Sequence, residues 1–242
     1  MVDTLNVIVA AAGSGKRMNK GINKQYLTLR SRPILSYCLE VFEHSPLVNN
    51  VLVVVKESEI GFCQKEIVER YGYKKVRKVI AGGAERQDSV WAGLNSLEQS
   101  TGLIAVHDGA RPFITDQLLT KLVSTAAQWD SAIPGVPVKD TVKLVDNEGF
   151  VSKTLDRSRI FFVQTPQVFR LEYLIKAYQK AVEEQFAATD DASIYEKYVG
   201  KVKIVPGDYR NIKITTPEDL SYAREIADDL ISRGLIIDSG VS

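Results

Sequence analysis

Thiols, histidines and long apolar runs are scarce in this chain of 242 residues. Its two cysteines, Cys38 and Cys63, stand in unrelated surroundings. So few exclude a disulfide framework and a thiolate metal site, and a reducing, cytoplasmic setting fits. The two histidines, His44 and His107, have no metal-ligand spacing. No Ser/His/Asp set, nucleophilic cysteine or paired acid–base carboxylates stands out. No run of ~18 apolar residues and no basic leader occur, so neither a membrane span nor a signal peptide is expected. Charge of one sign is also missing. Thirty-one Lys and Arg balance 30 Asp and Glu for a net +1, so the chain as a whole is not built for nucleic acid or anionic lipid.

What is present is alternation. Buried-strand runs are expected at 5–10, 51–56, 76–81 and 103–106. Helices are expected at 33–44, 57–70, 86–97 and 116–128. This βα rhythm predicts an α/β chain with a mostly parallel, doubly wound sheet and ligands at the carboxyl ends of its strands. After Ser131 the rhythm changes. Short strands at 141–146 and 150–155 around Asn147-Glu148-Gly149 read as a hairpin leaving the repeat. Helices at 171–186 and 190–198 and strands at 202–205 and 211–215 follow. Thr216 then suits an N-cap with Pro217 behind it. Residues past about 233 read as a tail. No repeat or low-complexity linker is present, so residues 1–242 are expected to form one domain with an arm at about 138–158.

The first strand ends in AAAGSGKRM, Ala10 to Met18. Arg17 stands where a P-loop has its Mg²⁺-binding Ser or Thr, and Ala10 replaces that motif's first glycine. Met18 likewise spoils a dinucleotide fingerprint. Lys16, Arg17, Lys20 and Lys24 nevertheless crowd into nine residues. They form either an ordinary turn with solvated lysines or a seat for several phosphates at once. Asp108, in HDGARPF, follows an apolar strand. There it suits a Mg²⁺–phosphate complex or a substrate hydroxyl, unless it is a plain turn aspartate. Arg111 is three residues on, able to pair with Asp108 or grip an anion. In Gly82-Gly83-Ala84-Glu85-Arg86-Gln87-Asp88-Ser89, paired glycines admit a flat ligand and Ser89 offers a hydrogen bond. Arg157 and the strand-borne Lys213 complete the candidate cations. The missing nucleophile and base now make sense. A phosphate monoester has its second pKa near about 6 and is already largely a dianion at neutral pH. Its attack on a nucleoside triphosphate needs alignment and charge neutralisation, not proton abstraction.

Taken in order, AAAGSGKRM, NKQYL, GGAERQDSV, HDGARPF, PVKDT, DRS, QTPQVF, TDDAS and NIKITTPEDL resemble the 2-C-methyl-D-erythritol 4-phosphate cytidylyltransferase family over nearly the whole chain. The resemblance implies a Rossmann-like nucleotidyltransferase fold, a homodimer and Mg²⁺. It also implies the reaction: CTP plus methylerythritol 4-phosphate gives the CDP-linked alcohol and pyrophosphate, in non-mevalonate isoprenoid synthesis. Ala11, Ala12, Gly13, Ser14, Gly15, Lys16, Arg17 and Lys24 match the triphosphate loop. Gly83, Ala84 and Ser89 match the cytosine turn, where many relatives carry Asp in place of Ala84. Asp108, Arg111, Thr141, Arg157, Thr165 and Lys213 match positions near the sugar phosphate and the reacting phosphorus. Arg17 and Lys24 are thereby assigned the charge growing on pyrophosphate, and Lys213 the α-phosphate. Mg²⁺ is expected mainly on the CTP phosphates, with Asp108 a possible ligand. For TDDAS the sequence suggests helix capping and leaves any further role open. The rivals are a ribitol 5-phosphate cytidylyltransferase, whose kind more often opens with AGG and lacks TDDAS, and a non-catalytic nucleotide-binding module.

Overall fold

In a computed structural model, the structure describes residues 5–13, 23–98 and 101–234. The chain opens with β1 (Leu5–Ala10). The two-residue strands β2 (Thr28–Leu29) and β3 (Arg32–Pro33) pair with each other before α1 (Ile34–His44). Next come β4 (Val48–Val55) and a helical segment that starts as a 3-10 turn, continues as α2 (Ile60–Cys63) and ends in a π-helical turn (Gln64–Glu69). There the sequence predicts one α-helix. The wider last turn brings the neighbours Ile67 and Val68 both into the core. After β5 (Val76–Ala81), α3 (Arg86–Asn95), β6 (Leu103–Asp108) and α4 (Asp116–Trp129), the chain enters β7 (Ser131–Pro137).

β1 lies between β4 and β6, and β4 pairs onward with β5, all parallel. The sheet path therefore reverses direction between β1 and β6, and their carboxyl ends open a crevice there. Both faces are covered, which is why these strands read as unbroken apolar runs. Leu5, Val7 and Val9 face one core with Leu35, Leu39, Phe42, Leu119 and Leu122. Ile8, with Leu52, Val54, Ile104 and Val106, faces a second core with Val90 and Leu94.

Beyond β7 come the hairpin strands β8 (Lys143–Val145) and β9 (Val151–Thr154), then β10 (Phe161–Val163), β11 (Gln167–Arg170), α5 (Leu171–Glu183), α6 (Asp191–Tyr198), β12 (Lys203–Pro206) and α7 (Pro217–Ser232). β11 inserts antiparallel between β6 and β7, β10 also pairs antiparallel with β7, and β12 runs parallel to β7. β7, β10 and β11 carry no clear signal in the sequence. SAIPGVP holds two prolines and a glycine and so looks like a loop, yet it is buried along six of its seven residues.

The strand expected at 211–215 is not one. Its main link to the sheet is Ile214 N–H to the Ala110 carbonyl at 2.9 Å, just past the end of β6. This segment is a buttress, fastened by Ile214 against α7 together with Leu29, Ile34, Tyr37 and Phe113. α7 starts as expected, with Thr216 accepting from Asp219 N–H and Asp219 accepting from Thr216 N–H in return. The predicted hairpin exists as β8–β9, tied at its turn by Asp146 Oδ1, which accepts from Glu148 and Phe150 N–H at 3.0 and 2.9 Å.

Candidate active site

A cleft of about 650 Å³ opens at the carboxyl ends of β5, β4, β1 and β6. Ala11, Ala12 and Gly13 line it as β1 ends, with Gly83, Ala84 and Ser89 after β5, and Asp108 at the end of β6. Lys24 and Lys213 reach it from either side. These are most of the sequence-predicted site residues. Ser14, Gly15, Lys16 and Arg17, with Lys20, lie outside the described residues.

Asp108 is the cleft's charged hub. Arg86 Nε lies 2.8 Å from Oδ1 and Lys213 Nζ 2.8 Å from Oδ2. Arg111 Nε stands farther back, 3.8 Å from Oδ2. Burial opposes the charge on Asp108. Arg86, and then Lys213, nonetheless hold its carboxyl well below the usual carboxylate range. Arg86 is shared, its two terminal nitrogens meeting both oxygens of the fully buried Asp191 at 3.1 and 2.7 Å. Tyr178 donates its hydroxyl to Asp191 Oδ1 at 2.6 Å. Burial alone would lower the Arg86 pKa, but Asp191 and Asp108 lift it well above the ordinary arginine value. TDDAS thus does more than cap. Asp190 caps α6 by accepting from Ser193 N–H at 3.0 Å, while Asp191 neutralises the arginine that grips the cleft floor.

A second chain of bonds fixes Asp108 from behind. Its N–H donates to Thr165 Oγ1 at 3.0 Å. Thr165 Oγ1 lies 3.1 Å from His107 Nδ1, and His107 Nε2 lies 3.0 Å from the Arg111 carbonyl. The Arg111 carbonyl can only accept, so the imidazole carries its proton on Nε2 and Nδ1 accepts from the threonine hydroxyl, a neutral tautomer assigned from this network. Thr165 and Arg111 therefore stand behind the cleft floor, with Arg111 Nη1 donating to the Asn211 carbonyl at 2.7 Å. Thr141 and Arg157 lie outside the cleft, exposed beside the hairpin, and Arg157 Nη1 donates to the Lys139 carbonyl at 2.7 Å.

The turn after β5 is shaped by Ser89, whose oxygen accepts from Gly83 N–H at 3.2 Å and whose hydroxyl donates to the Glu85 carbonyl at 3.0 Å. Its proton is thus committed, and the hydroxyl can meet a ligand only as an acceptor. Gly82 needs to be glycine, since a Cβ there would sit 2.5 Å from Ser89 Oγ and 2.7 Å from Ala12 Cβ. Glu85 and Asp88 close a capping box over the start of α3.

Lys56, Gln25, Arg86 and Thr215 also line the cleft without having been singled out from the sequence. Lys56 had a usable signal. It follows the run Val51-Leu52-Val53-Val54-Val55 as Asp108 follows its own strand run. Gln25 is buried and donates from Nε2 to the Ala11 carbonyl, which its position in NKQYL does not reveal.

Comparison with known proteins fits this geometry. The model of a family described as 2-C-methyl-D-erythritol 4-phosphate cytidylyltransferase matches residues 5–229. The chain belongs to that family. A member from Geobacter metallireducens is 49% identical over 219 residues, covering 89% of this chain and 94% of its own. One from Alkaliphilus metalliredigens is 48% identical over 222 residues, covering 92% of each. Among solved structures, the 4-diphosphocytidyl-2C-methyl-D-erythritol synthase of Anaerococcus prevotii superposes with a TM-score of 0.83 at 31% identity, over 93% of this chain and 96% of that one. The family member from Francisella tularensis gives 0.78 at 32%, over 92% and 99%.

His107 makes the site's electrostatics measurable. Burial lowers its pKa from 6.5 to about 4, against opposing pulls from the Arg111 carbonyl and Asp108; the Arg111 and Arg86 charges add to the lowering. Phe42 packs edge-on over the ring. The unfolded chain therefore binds this proton first as pH falls. The stability from His107 is whole above about 6.5 and drains away toward about 4. Between pH 7 and pH 5 the loss should be about 2 kcal/mol, at 1.36 kcal/mol per pKa unit. Urea unfolding of wild type and His107→Gln at both pH values checks this. The variant should lose most of the slope, and an equal slope in both would remove His107 as its source.

Proposed function

We infer that this chain transfers the cytidylyl group of CTP to 2-C-methyl-D-erythritol 4-phosphate, releasing pyrophosphate, as a step of isoprenoid biosynthesis. The observation that carries this reading, beyond family membership, is the cleft's layout. The loop at Ala11–Gly13 follows β1 and shares the cleft with Lys24, a glycine turn follows β5, and a lysine sits on the buried carboxylate that ends β6, beside the point where the sheet reverses. The cytosine ring fits the turn at Gly83, Ala84 and Ser89. The free lone pair of Ser89 suits the exocyclic amine, and Ala84 leaves the remaining contacts to backbone. The triphosphate belongs over Ala11–Gly13 and Lys24.

Lys213 is held by Asp108 and the buttress under α7, so its ammonium is aimed before substrate arrives. It steadies the α-phosphate while the methylerythritol phosphate dianion attacks in line. Lys24 takes up the charge that develops on departing pyrophosphate, with Arg17 assigned the same task. Asp108 binds the sugar phosphate's hydroxyl side, with Arg111 and Thr165 acting from behind it.

Mg²⁺ belongs to this chemistry as a neutraliser of phosphate charge. Among the described residues no group of three acidic, histidine or cysteine side chains gathers to cage a metal. Glu85, on the cleft wall, is occupied in capping α3. Asp108 is the cleft's other carboxylate; with both oxygens already facing Arg86 and Lys213, it would be at most one ligand to an ion that takes the rest from phosphates and water.

No residue of β8 or β9 is buried in its own subunit. Leu144, Val145, Phe150 and Val151 are more than half exposed, and Phe162 of the neighbouring β10 strand is too. A lone hairpin of this kind is marginal in water. The arm is best used as the contact of a two-fold homodimer, bringing Arg157 and Thr141 to the sugar phosphate in the partner's cleft. No helix among the described residues is long and apolar enough to cross a membrane.

Pyrophosphate release with Mg²⁺ tests the reaction. CTP with methylerythritol 4-phosphate should be turned over far faster than ATP with it, or CTP with ribitol 5-phosphate, and equal rates with either substitute would contradict the assignment. A subunit-mixing assay tests the arm. Lys24→Ala and Arg157→Ala homodimers should each lose roughly 10²-fold or more in kcat. Co-refolded one to one, they should recover about a quarter of wild-type activity, because half the dimers are mixed and each mixed dimer has one intact composite site. No recovery, with mixed dimers verified by mass, would put Arg157 in its own subunit's site.

A further inference from the structure

Lys56 is a cation on the cleft wall to which the reaction scheme gives no task. We propose that its ammonium binds the terminal phosphates of the nucleotide, forming with Lys24 a two-cation clamp on the pyrophosphate portion. The proposal rests on the reading of the cleft as a CTP site.

Its backbone position comes from the sheet. β4 lies between β1 and β5, with Ala11 N–H donating to the Val54 carbonyl and Gly82 N–H to the Val55 carbonyl, each at 2.7 Å. The next residue, Lys56, is therefore flanked by the phosphate-loop side on one edge and the base turn on the other. Its side chain takes the phosphate direction. Nζ lies 3.4 Å from Oδ1 of Asn23, the residue preceding Lys24.

The charge balance points the same way. Arg86 and Lys213 spend their charge on Asp108 and Asp191. Lys56 forms no ion pair with a carboxylate among the described residues. Glu59 is an acid coupled to it: its N–H donates to the Lys56 carbonyl at 2.9 Å and its carboxyl feels the Lys56 charge. That carboxylate instead accepts from Gln25 Nε2 at 3.4 Å. An ammonium has three donors. One is spent on an amide oxygen at the long distance of 3.4 Å, and the side chain is half-buried in a cleft wall. A cation held there, aimed by a neutral partner and in ion-pair contact with no described carboxylate, is arranged for an anionic ligand.

The contact is specific about which phosphate it reads. Lys213 sits on the carboxylate that ends β6, two strands from β4, where the proposed function puts the reacting α-phosphorus. Lys56, beside Asn23 and Lys24, is placed for the β- and γ-phosphates. It should therefore distinguish a triphosphate from a monophosphate.

Calorimetric binding of CTP, CMP and inorganic pyrophosphate, in Mg²⁺, to wild type and Lys56→Met tests this without relying on turnover. Methionine keeps the length and apolar stem of the side chain and removes the charge. The Kd for CTP and for pyrophosphate should rise about 10-fold, as expected for one charge-assisted hydrogen bond, while the Kd for CMP stays within about twofold. The KM for CTP should follow, with that for the polyol phosphate unchanged, and Lys56→Arg should restore most of the CTP affinity. A CTP affinity unchanged in Lys56→Met, or CTP and CMP weakened alike, would overturn the proposal. Matching thermal melts of the variants and wild type guard against a folding defect. If wild type binds another nucleoside triphosphate in place of CTP, the cytidylyl reading fails. The same comparison then runs with that triphosphate and its monophosphate, with the same two outcomes for Lys56.

Discussion

A buried carboxylate that must stay charged organises this molecule. Asp108 ends the strand next to the sheet's point of reversal, where it is nearly inaccessible to water. An unpaired charge there would be costly, so the fold surrounds it. Arg86 comes from the start of α3, Lys213 from the segment under α7, and Arg111 from the turn after β6. Each of these cations then has its own requirement. Arg86 takes a second carboxylate, Asp191, which ties in α6, and through Tyr178 it ties in α5. Arg111 takes the Asn211 carbonyl, which fixes the approach to Lys213. Elements far apart in the chain are thus locked to one oxygen pair, and the cleft inherits its geometry from that lock.

The division of labour is economical in chemistry as well as structure. Phosphoryl transfer from a triphosphate to a phosphate dianion asks for positioned positive charge and little else. Some of the positive charge here is held in check by aspartates, which keeps Arg86 and Lys213 still. Lys24 and Lys56 line the same cleft. On the proposed reading, orientation near the reacting phosphorus and attraction for the polyphosphate tail are served by different residues.

Much of this was legible in the sequence, for identifiable reasons. The parallel strands β1, β4, β5 and β6 are continuous apolar runs because helices cover both faces, and such runs stand out. The residues just past them, from Ala11 to Gly13, at Gly83 and at Asp108, were recoverable because strand ends at a topological reversal are where ligands bind. Capping at Thr216 and the Asn147-Glu148-Gly149 turn depended only on local chemistry. The rest depended on tertiary partners. β7 looks like a loop because of Pro134, Gly135 and Pro137, and becomes a strand only between β11 and β12. Lys213 looked strand-borne because Ile212 and Ile214 flank it, yet those residues are held by α7 and its neighbours. Thr165 and His107 carry no sequence mark of their relay, and Asp191 gives no hint that its partner lies 105 residues away on α3.

The unfolding free energy of Asp108→Asn in urea at pH 7 tests the organising role of this carboxylate most directly. The substitution keeps shape and volume but leaves Arg86 and Lys213 short of a counter-charge. A loss of about 3 kcal/mol is expected, the low end of what removing one member of a buried ion cluster costs, because Arg86 keeps Asp191. A carboxylate serving only to contact substrate behaves differently, since removing it leaves stability unchanged or raises it. Wild-type or greater stability in Asp108→Asn would therefore contradict the hub.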